Sequence, residues 1–246
     1  MDNEKSPEHG QDGQSAEELR SEIAALEKKV SFLQNKLMLV GSVTRHDVLN
    51  QLTAIVGYNE LLGMMITDEK LKSFLEKERT AIDKIRRQFQ FAKDYQNIAV
   101  EPPRWQNIRN ICTRVSEDFD LKGVKIIAET GPASILADPL IDRVFHHIFE
   151  NALLHGATTT EIRIKLQEGG SDAVLAIEND GREIPAEEKD KIFERGYGKG
   201  TGWGLFLARE ILAVTGMSIS ETCEPGKGVQ FSISLPAGTF RMQDEE

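Results

Sequence analysis

Cysteine is nearly absent from this chain of 246 residues: Cys112 and Cys223 are the only two. They lie far apart and fit no metal-binding or redox spacing, which leaves two thiols in a reducing compartment. Basic charge is also short. Thirty Lys and Arg face forty Asp and Glu, a formal net charge of −10. No broad positive field is available to hold a nucleic-acid backbone, so that class of partner is excluded. Long apolar runs are missing too. No stretch approaches the ~20 residues of a membrane helix, and no signal peptide is visible. The expectation is a cytoplasmic protein with no membrane segment in this chain. What is present is 39% hydrophobic residues, enough for a core, and a length that suits two modest domains.

Residues 1–15 are polar and unpatterned and read as a disordered tail. From Leu19 the texture changes. Leu19, Ile23, Leu26, Val30, Leu33, Leu37 and Val40 recur at alternating spacings of four and three. That is an a/d coiled-coil seam, assigned to 16–43. So narrow a seam buries little unless it meets a second helix. The helical pattern continues to about Met65 through Leu49, Leu52, Ile55, Val56, Leu61 and Leu62. Ile66-Thr67-Asp68 reads as a turn, with Thr67 or Asp68 as N-cap. A second long helix is expected from about Glu69 to Asn97. Two amphipathic helices with a short connection predict an antiparallel hairpin over 44–100. One hairpin cannot bury such wide faces, whereas two can as a dimeric four-helix bundle.

Pro102-Pro103 ends the helical pattern. Beyond it, residues 101–240 read as mixed α/β, with a tail at 241–246. Helices are expected near 106–119, 139–155 and 203–214. Strands are expected near 125–129, 134–137, 161–167, 173–178, 218–223 and 228–235. Strands joined by hairpin-like gaps with helices on one face predict an α+β sandwich. The fold class is therefore multidomain: an all-α coiled coil and hairpin followed by an α+β domain.

Three segments of that domain carry chemistry. Residues 196–204 read Gly-Tyr-Gly-Lys-Gly-Thr-Gly-Trp-Gly and run into an apolar-periodic helix. Five glycines in nine residues allow close backbone approach. The helix that follows offers free N–H groups and a positive dipole end, a natural phosphate cradle. The stretch is not a P-loop, because Gly-Lys is not followed by Ser or Thr, nor does it follow a strand as a dinucleotide fingerprint does. Taken alone, such a run is also what a plain surface loop looks like. In the helix 139–155, Asn151 stands mid-helix, where its propensity is poor. Its amide oxygen suits Mg²⁺, which takes few protein ligands and fills the rest with phosphates and water. A solvent-facing Asn is the bland alternative. Finally, Asn179-Asp180-Gly181 ends a strand with groups able to accept a hydrogen bond from the adenine amine, and taken alone is only a turn signal.

In this order and spacing the segments resemble the ATP-binding domain of sensor histidine kinases, part of a wider family that includes gyrase, a heat-shock chaperone and MutL. Asn151 matches the metal-binding Asn of the family's N box. Asn179-Asp180-Gly181 with Ile184-Pro185 matches the box written D-x-G-x-G-I-P. Lys191–Arg195 matches the lid, and Gly200-Thr201-Gly202-Trp203-Gly204-Leu205 the second glycine box. The resemblance implies ATP and Mg²⁺ as cofactors, with the metal on Asn151. It implies nucleotide binding by Asn151, His155, Asn179, Asp180, Gly181, Ile184, Lys199, Gly200, Thr201, Gly202, Gly204 and Leu205. There are departures. Asn179 stands where the adenine-contacting Asp usually sits, with Asp180 as the alternative for that role. Glu183 replaces the second Gly. His147 stands where kinases usually have Asn and the hydrolases Glu, and Leu154 where kinases often have Lys.

Inside the first long helix lies His46-Asp47-Val48-Leu49-Asn50. A lone helical His commonly has no special role, but here the neighbours fit a phosphoacceptor. Neutral imidazole is a good nucleophile, and an adjacent carboxylate can orient it and take its proton. The resemblance implies the catalytic set His46, Asp47 and Asn50, the last orienting water for dephosphorylation of a response regulator. Gln51 stands where the family usually has Pro. The implied activity is autophosphorylation of His46, followed by transfer to an Asp of a receiver domain. The implied assembly is a homodimer through coiled coil and hairpin. Three alternatives stay open: a phosphatase-biased or degenerate member, an ATPase of the gyrase type, and a non-enzymatic scaffold with a relic nucleotide fold.

Overall fold

The computed structural model describes residues 12–155, 158–198, 201–224 and 226–242. Two compact units divide it, Met1–Leu62 and Gly63–Glu246.

The first unit is most of one long helix, α1 (Asp12–Met65). Its 54 residues span about 80 Å. The helix begins inside the stretch expected to be a disordered tail, so residues 12–15 extend it. The remainder of that tail, 1–11, lies outside the described residues. Every seam position is open in the single chain, from Leu33 at 48% to Leu37 at 66% exposure. An apolar stripe of this length has no partner on its own helix, which is the condition under which a coiled coil forms.

In the second unit, α2 (Glu69–Asn97) keeps the expected bounds. Asp68 is its N-cap, and one carboxylate oxygen accepts from the Lys70 and Leu71 N–H groups at 2.8 and 3.0 Å. After a turn, eight strands and three helices follow: β1 (Arg104–Asn107), α3 (Ile108–Ser116), β2 (Lys125–Glu129), β3 (Ala133–Ala137), α4 (Ile141–His155), β4 (Glu161–Gly169), β5 (Asp172–Asn179), α5 (Gly204–Ala213), β6 (Ser218–Glu221), β7 (Val229–Leu235) and β8 (Phe240–Met242). This is the α+β sandwich expected from the sequence. The larger sheet has the order β2-β4-β5-β7-β6; β2 runs parallel to β4, and the other neighbours pair antiparallel.

Two elements differ from expectation. Strands β1 and β8 flank β3 in a second, three-stranded sheet. Consequently the helix expected from Gln106 starts at Ile108, capped by the Asn107 side chain. The expected tail at 241–246 begins with strand residues Arg241 and Met242; residues 243–246 lie outside the described residues.

The strands bury alternate residues, as a sheet with one covered face requires. Ile162 and Ile164 of β4, Leu175 and Ile177 of β5, and Phe231 and Ile233 of β7 belong to one core with Phe145, Ile148 and Phe149 of α4 and Ile211 of α5. Phe145 and Phe149 meet edge to face at 6.3 Å. Cys112 lies in this core, and burial pushes its thiol up to about 12, so it is inert at neutral pH.

Gly228, with φ +90°, sits where the β5 and β7 backbones converge. A Cβ there would lie 2.1 Å from the Asn179 carbonyl oxygen. Gly228→Ala therefore combines a left-handed backbone with a backbone collision, and we expect a loss of about 2–5 kcal/mol. Urea unfolding of the two proteins measures it; equal midpoints would contradict this packing.

Candidate functional site

Two sites emerge, one in each unit. On α1, His46, Asp47 and Asn50 lie together on the solvent side. The His46 Nδ1 is 3.1 Å from Asp47 Oδ1, and the side chains are 73% and 65% exposed. The Asn50 amide nitrogen lies 3.3 Å from His46 Nε2 and 3.4 Å from Nδ1. One helical turn separates positions 46 and 50, so this meeting follows from helix geometry alone. With Nδ1–H donating to Asp47, the lone pair resides on Nε2, the outer nitrogen. The tautomer is assigned from that contact. The group is an exposed, oriented nitrogen nucleophile with an adjacent proton acceptor.

In the second unit, α4 and α5 pack side by side. Gly204 makes that approach possible: a Cβ there would lie 2.8 Å from His147 Nδ1. The second glycine box thus abuts the N-box helix one turn before Asn151. Asn151 is half-buried on α4. No side chain caps the N-terminus of α5 at Trp203. Its first N–H groups have no partner within the helix, as at any helix start, and remain available to an anion. An uncapped helix start packed on the helix that carries the Asn151 amide fits a magnesium-bound polyphosphate.

At the end of β5, Asn179 and Asp180 have different surroundings. Asn179 is buried, and its Oδ1 accepts from the Gly181 N–H at 3.1 Å, which turns the chain. Asp180 is exposed and already engaged. Its Oδ1 accepts from the Thr160 and Glu161 N–H groups at 2.8 and 3.1 Å, and its Oδ2 from the Thr160 hydroxyl at 2.5 Å. Despite some desolvation, these hydrogen bonds hold its pKa below the usual carboxylate range. Asp180 thus fastens the start of β4, while Asn179 spends one lone pair of its Oδ1 on the turn. Ile184 is half-buried against the core, and Leu205 is buried in it. Thr201 and Gly202 precede α5. Gly202 fits a tight turn whose backbone a Cβ would strike, with Gly196 carbon 2.5 Å away. His155 closes α4. Lys199 and Gly200 lie outside the described residues.

Sequence reasoning missed how firmly α2 joins this domain. Phe91 packs on Trp203 with ring centroids 4.6 Å apart, and Tyr95 stacks on Phe206 at 6.1 Å. The buried Asp94 pairs with Arg143 at 3.2 Å, and Ala99 N–H donates to Asp138 at 2.8 Å. Arg87 reaches Glu150, the neighbour of Asn151, at 2.9 Å. Contact with His147, and then with Arg87, outweighs burial and holds the Glu150 carboxyl down to about 2. His147 Nδ1 lies 3.5 Å from Glu150 Oε2, at the outer limit for a hydrogen bond. A swing at Pro102-Pro103 must break the aromatic contacts and the Asp94–Arg143 and Arg87–Glu150 pairs. The sequence signal was the aromatic pair at positions 91 and 95, one turn apart, which reads equally as bundle core.

Comparison with known proteins decides what this ATP-site geometry belongs to. The family described as histidine kinase-, DNA gyrase B- and HSP90-like ATPase matches residues 137–239. Those residues are thus similar to the ATP-binding domain that this wider family shares. The alginate biosynthesis sensor protein KinB of Pseudomonas aeruginosa is 35% identical over 101 residues, 39% of this chain and 17% of KinB. The chain therefore spans under a fifth of that relative's length. The likeness in fold reaches further. Full-length ShkA, solved with AMPPNP, superposes over 81% of this chain and 46% of its own, at 19% identity and a TM-score of 0.56. Histidine kinase AdeS of Acinetobacter baumannii superposes over 77% of this chain and 97% of its own, at 18% identity and a TM-score of 0.51. The sensor histidine kinase resemblance read from the sequence is borne out. No described helix is long and apolar enough to cross a membrane.

Proposed function

We propose that the chain is a histidine kinase core that phosphorylates itself on His46 and passes the phosphoryl group to an aspartate of a receiver protein. The observation that carries the reading is the His46–Asp47–Asn50 group on α1 in a chain that also holds a histidine kinase-type ATPase domain.

ATP enters the second unit between α4 and the 180–202 segment. The buried Asn179 accepts from the adenine amine through the remaining lone pair of its Oδ1. The N–H groups around Gly202 and Gly204 bind the phosphate chain at the uncapped start of α5. The Asn151 amide oxygen would hold Mg²⁺, which would offset the phosphate charge. His46 Nε2 attacks the γ-phosphorus in line. A nitrogen–phosphorus bond forms as the bond from phosphorus to the bridging oxygen breaks, and ADP leaves. The proton on Nδ1 passes to Asp47, which keeps positive charge from building on the ring. Positioning does most of the work, because the transferred group needs little covalent help from the protein.

A second copy of the chain covers the α1 seam and makes the dimer, since the seam stays open in one copy. Release of α2 from Trp203 and Phe206 frees the ATPase domain to approach the acceptor. In the reverse direction, Asn50 orients water toward a phosphorylated receiver.

The test is chemical. Protein incubated with ATP labelled in the γ-phosphate should hold label that acid removes and base does not. Added receiver domain should drain it. Acid-stable label would place the phosphate on a hydroxyl instead and overturn the reading.

A further inference from the structure

A group on α4 is left over once the nucleotide site is assigned. One ring nitrogen each of His146 and His147 and a carboxylate oxygen of Glu150 lie within 4.8 Å of one another. No other described group of three such residues lies so close. The helix explains the meeting. Positions 146 and 150 are four apart and 147 and 150 are three apart, so Glu150 stands over the gap between the two imidazoles. The rings are nearly perpendicular, with centroids 5.6 Å apart.

Both histidines hold a buried nitrogen that lacks a hydrogen-bond partner, Nδ1 in each case. Only one other described side-chain atom is in that state, Glu221 Oε2, and it has Lys189 at 2.6 Å. Among the described residues His146 Nδ1 therefore stands out as an uncompensated polar atom, and His147 Nδ1 beside it has only the Glu150 carboxylate at 3.5 Å. Phe119 lies against His146, with ring centroids 4.7 Å apart, and walls one side. Glu150 uses Oε1 for Arg87 and turns Oε2 toward His147.

We propose that His146, His147 and Glu150 form a binding site for a divalent d-block cation of the zinc class. Two imidazoles and one carboxylate with an open fourth position are a favoured set for such ions. Mg²⁺ prefers oxygen ligands and would sit instead at Asn151. Ligand atoms about 2.0–2.2 Å from a tetrahedral ion lie roughly 3.3–3.5 Å apart, so binding draws the three side chains together by about 1 Å. This inference does not depend on the kinase reading, because no nucleotide takes part.

The test uses the full chain, free of nucleotide, titrated with Zn²⁺ in a calorimeter. One equivalent should bind at neutral pH, and a large excess of Mg²⁺ should not displace it. His146→Gln and Glu150→Gln should each weaken binding at least 10-fold. Absence of stoichiometric binding, displacement by Mg²⁺, or unchanged affinity in either variant would overturn the proposal. A measurement on the unaltered protein guards against misfolded variants. One equivalent of paramagnetic Co²⁺ should broaden the imidazole NMR signals of His146 and His147. Broadening confined to His46 or His155 would assign the ion elsewhere and sink the idea.

Discussion

Replacing His46 with alanine should reduce phosphoryl incorporation from ATP by at least about 1,000-fold, a barrier increase of about 4 kcal/mol. The reason is stoichiometric as well as kinetic. Without the imidazole there is no nitrogen to form the new bond. No other histidine on α1 can substitute, since His46 is the sole one in that helix. Nucleotide affinity should stay within about twofold, because His46 lies in a different unit from the ATP site. Asp47→Asn should give an intermediate loss of about 100-fold or more. The amide keeps the size of the side chain but cannot take the Nδ1 proton. Quantitative labelling reads both variants. Full incorporation in His46→Ala would show that the acceptor is another residue.

Asn151→Ala should weaken binding of magnesium-ATP by about 100-fold, equivalent to about 2.7 kcal/mol. The substitution removes the amide oxygen from a half-buried position on α4 and leaves a good helix former behind. The fold should therefore survive, and the loss should fall on the metal-dependent part of binding. Calorimetry with and without Mg²⁺ separates the two. In the unaltered protein Mg²⁺ should tighten ATP binding strongly, whereas in the variant the two affinities should converge. A variant that still responds to Mg²⁺ like the parent would remove Asn151 from the metal's ligands.

What the sequence disclosed tracks how local each signal is. The helix through Leu19 to Val40, one of the two N-cap candidates (Asp68) and the bounds of α2 each depend on residues within a turn or two, and the structure has them. The His46–Asp47–Asn50 group is local in the same sense. Strands β1 and β8 escaped notice because they are three or four residues long. They exist only through pairing with β3, which 100 or so residues separate from β8. The choice between Asn179 and Asp180 needed Thr160 and Glu161, on the neighbouring strand, to show which carboxyl or amide is occupied. The grip of α2 on α4 and α5 was equally hidden. Phe91 and Tyr95 satisfy a helical period whether they face a bundle or Trp203 and Phe206. Arg87 and Glu150 are 63 residues apart and leave no pattern at all.

That grip also bears on mechanism. The contacts from Arg87 to Ala99 tie α2 to the helix that carries Asn151 and to the start of α5. Freeing the sheet-bearing domain from α2 requires the aromatic surfaces to separate and the Asp94–Arg143 pair to open.

The central claim is that the γ-phosphoryl group goes to His46 and not to water. A single-turnover experiment with limiting labelled ATP, quenched in base, tests it most directly. The account predicts that label appears first on the protein, maps to His46, and precedes any inorganic phosphate. Inorganic phosphate released from the start, with no phosphorylated intermediate on the chain, would contradict it.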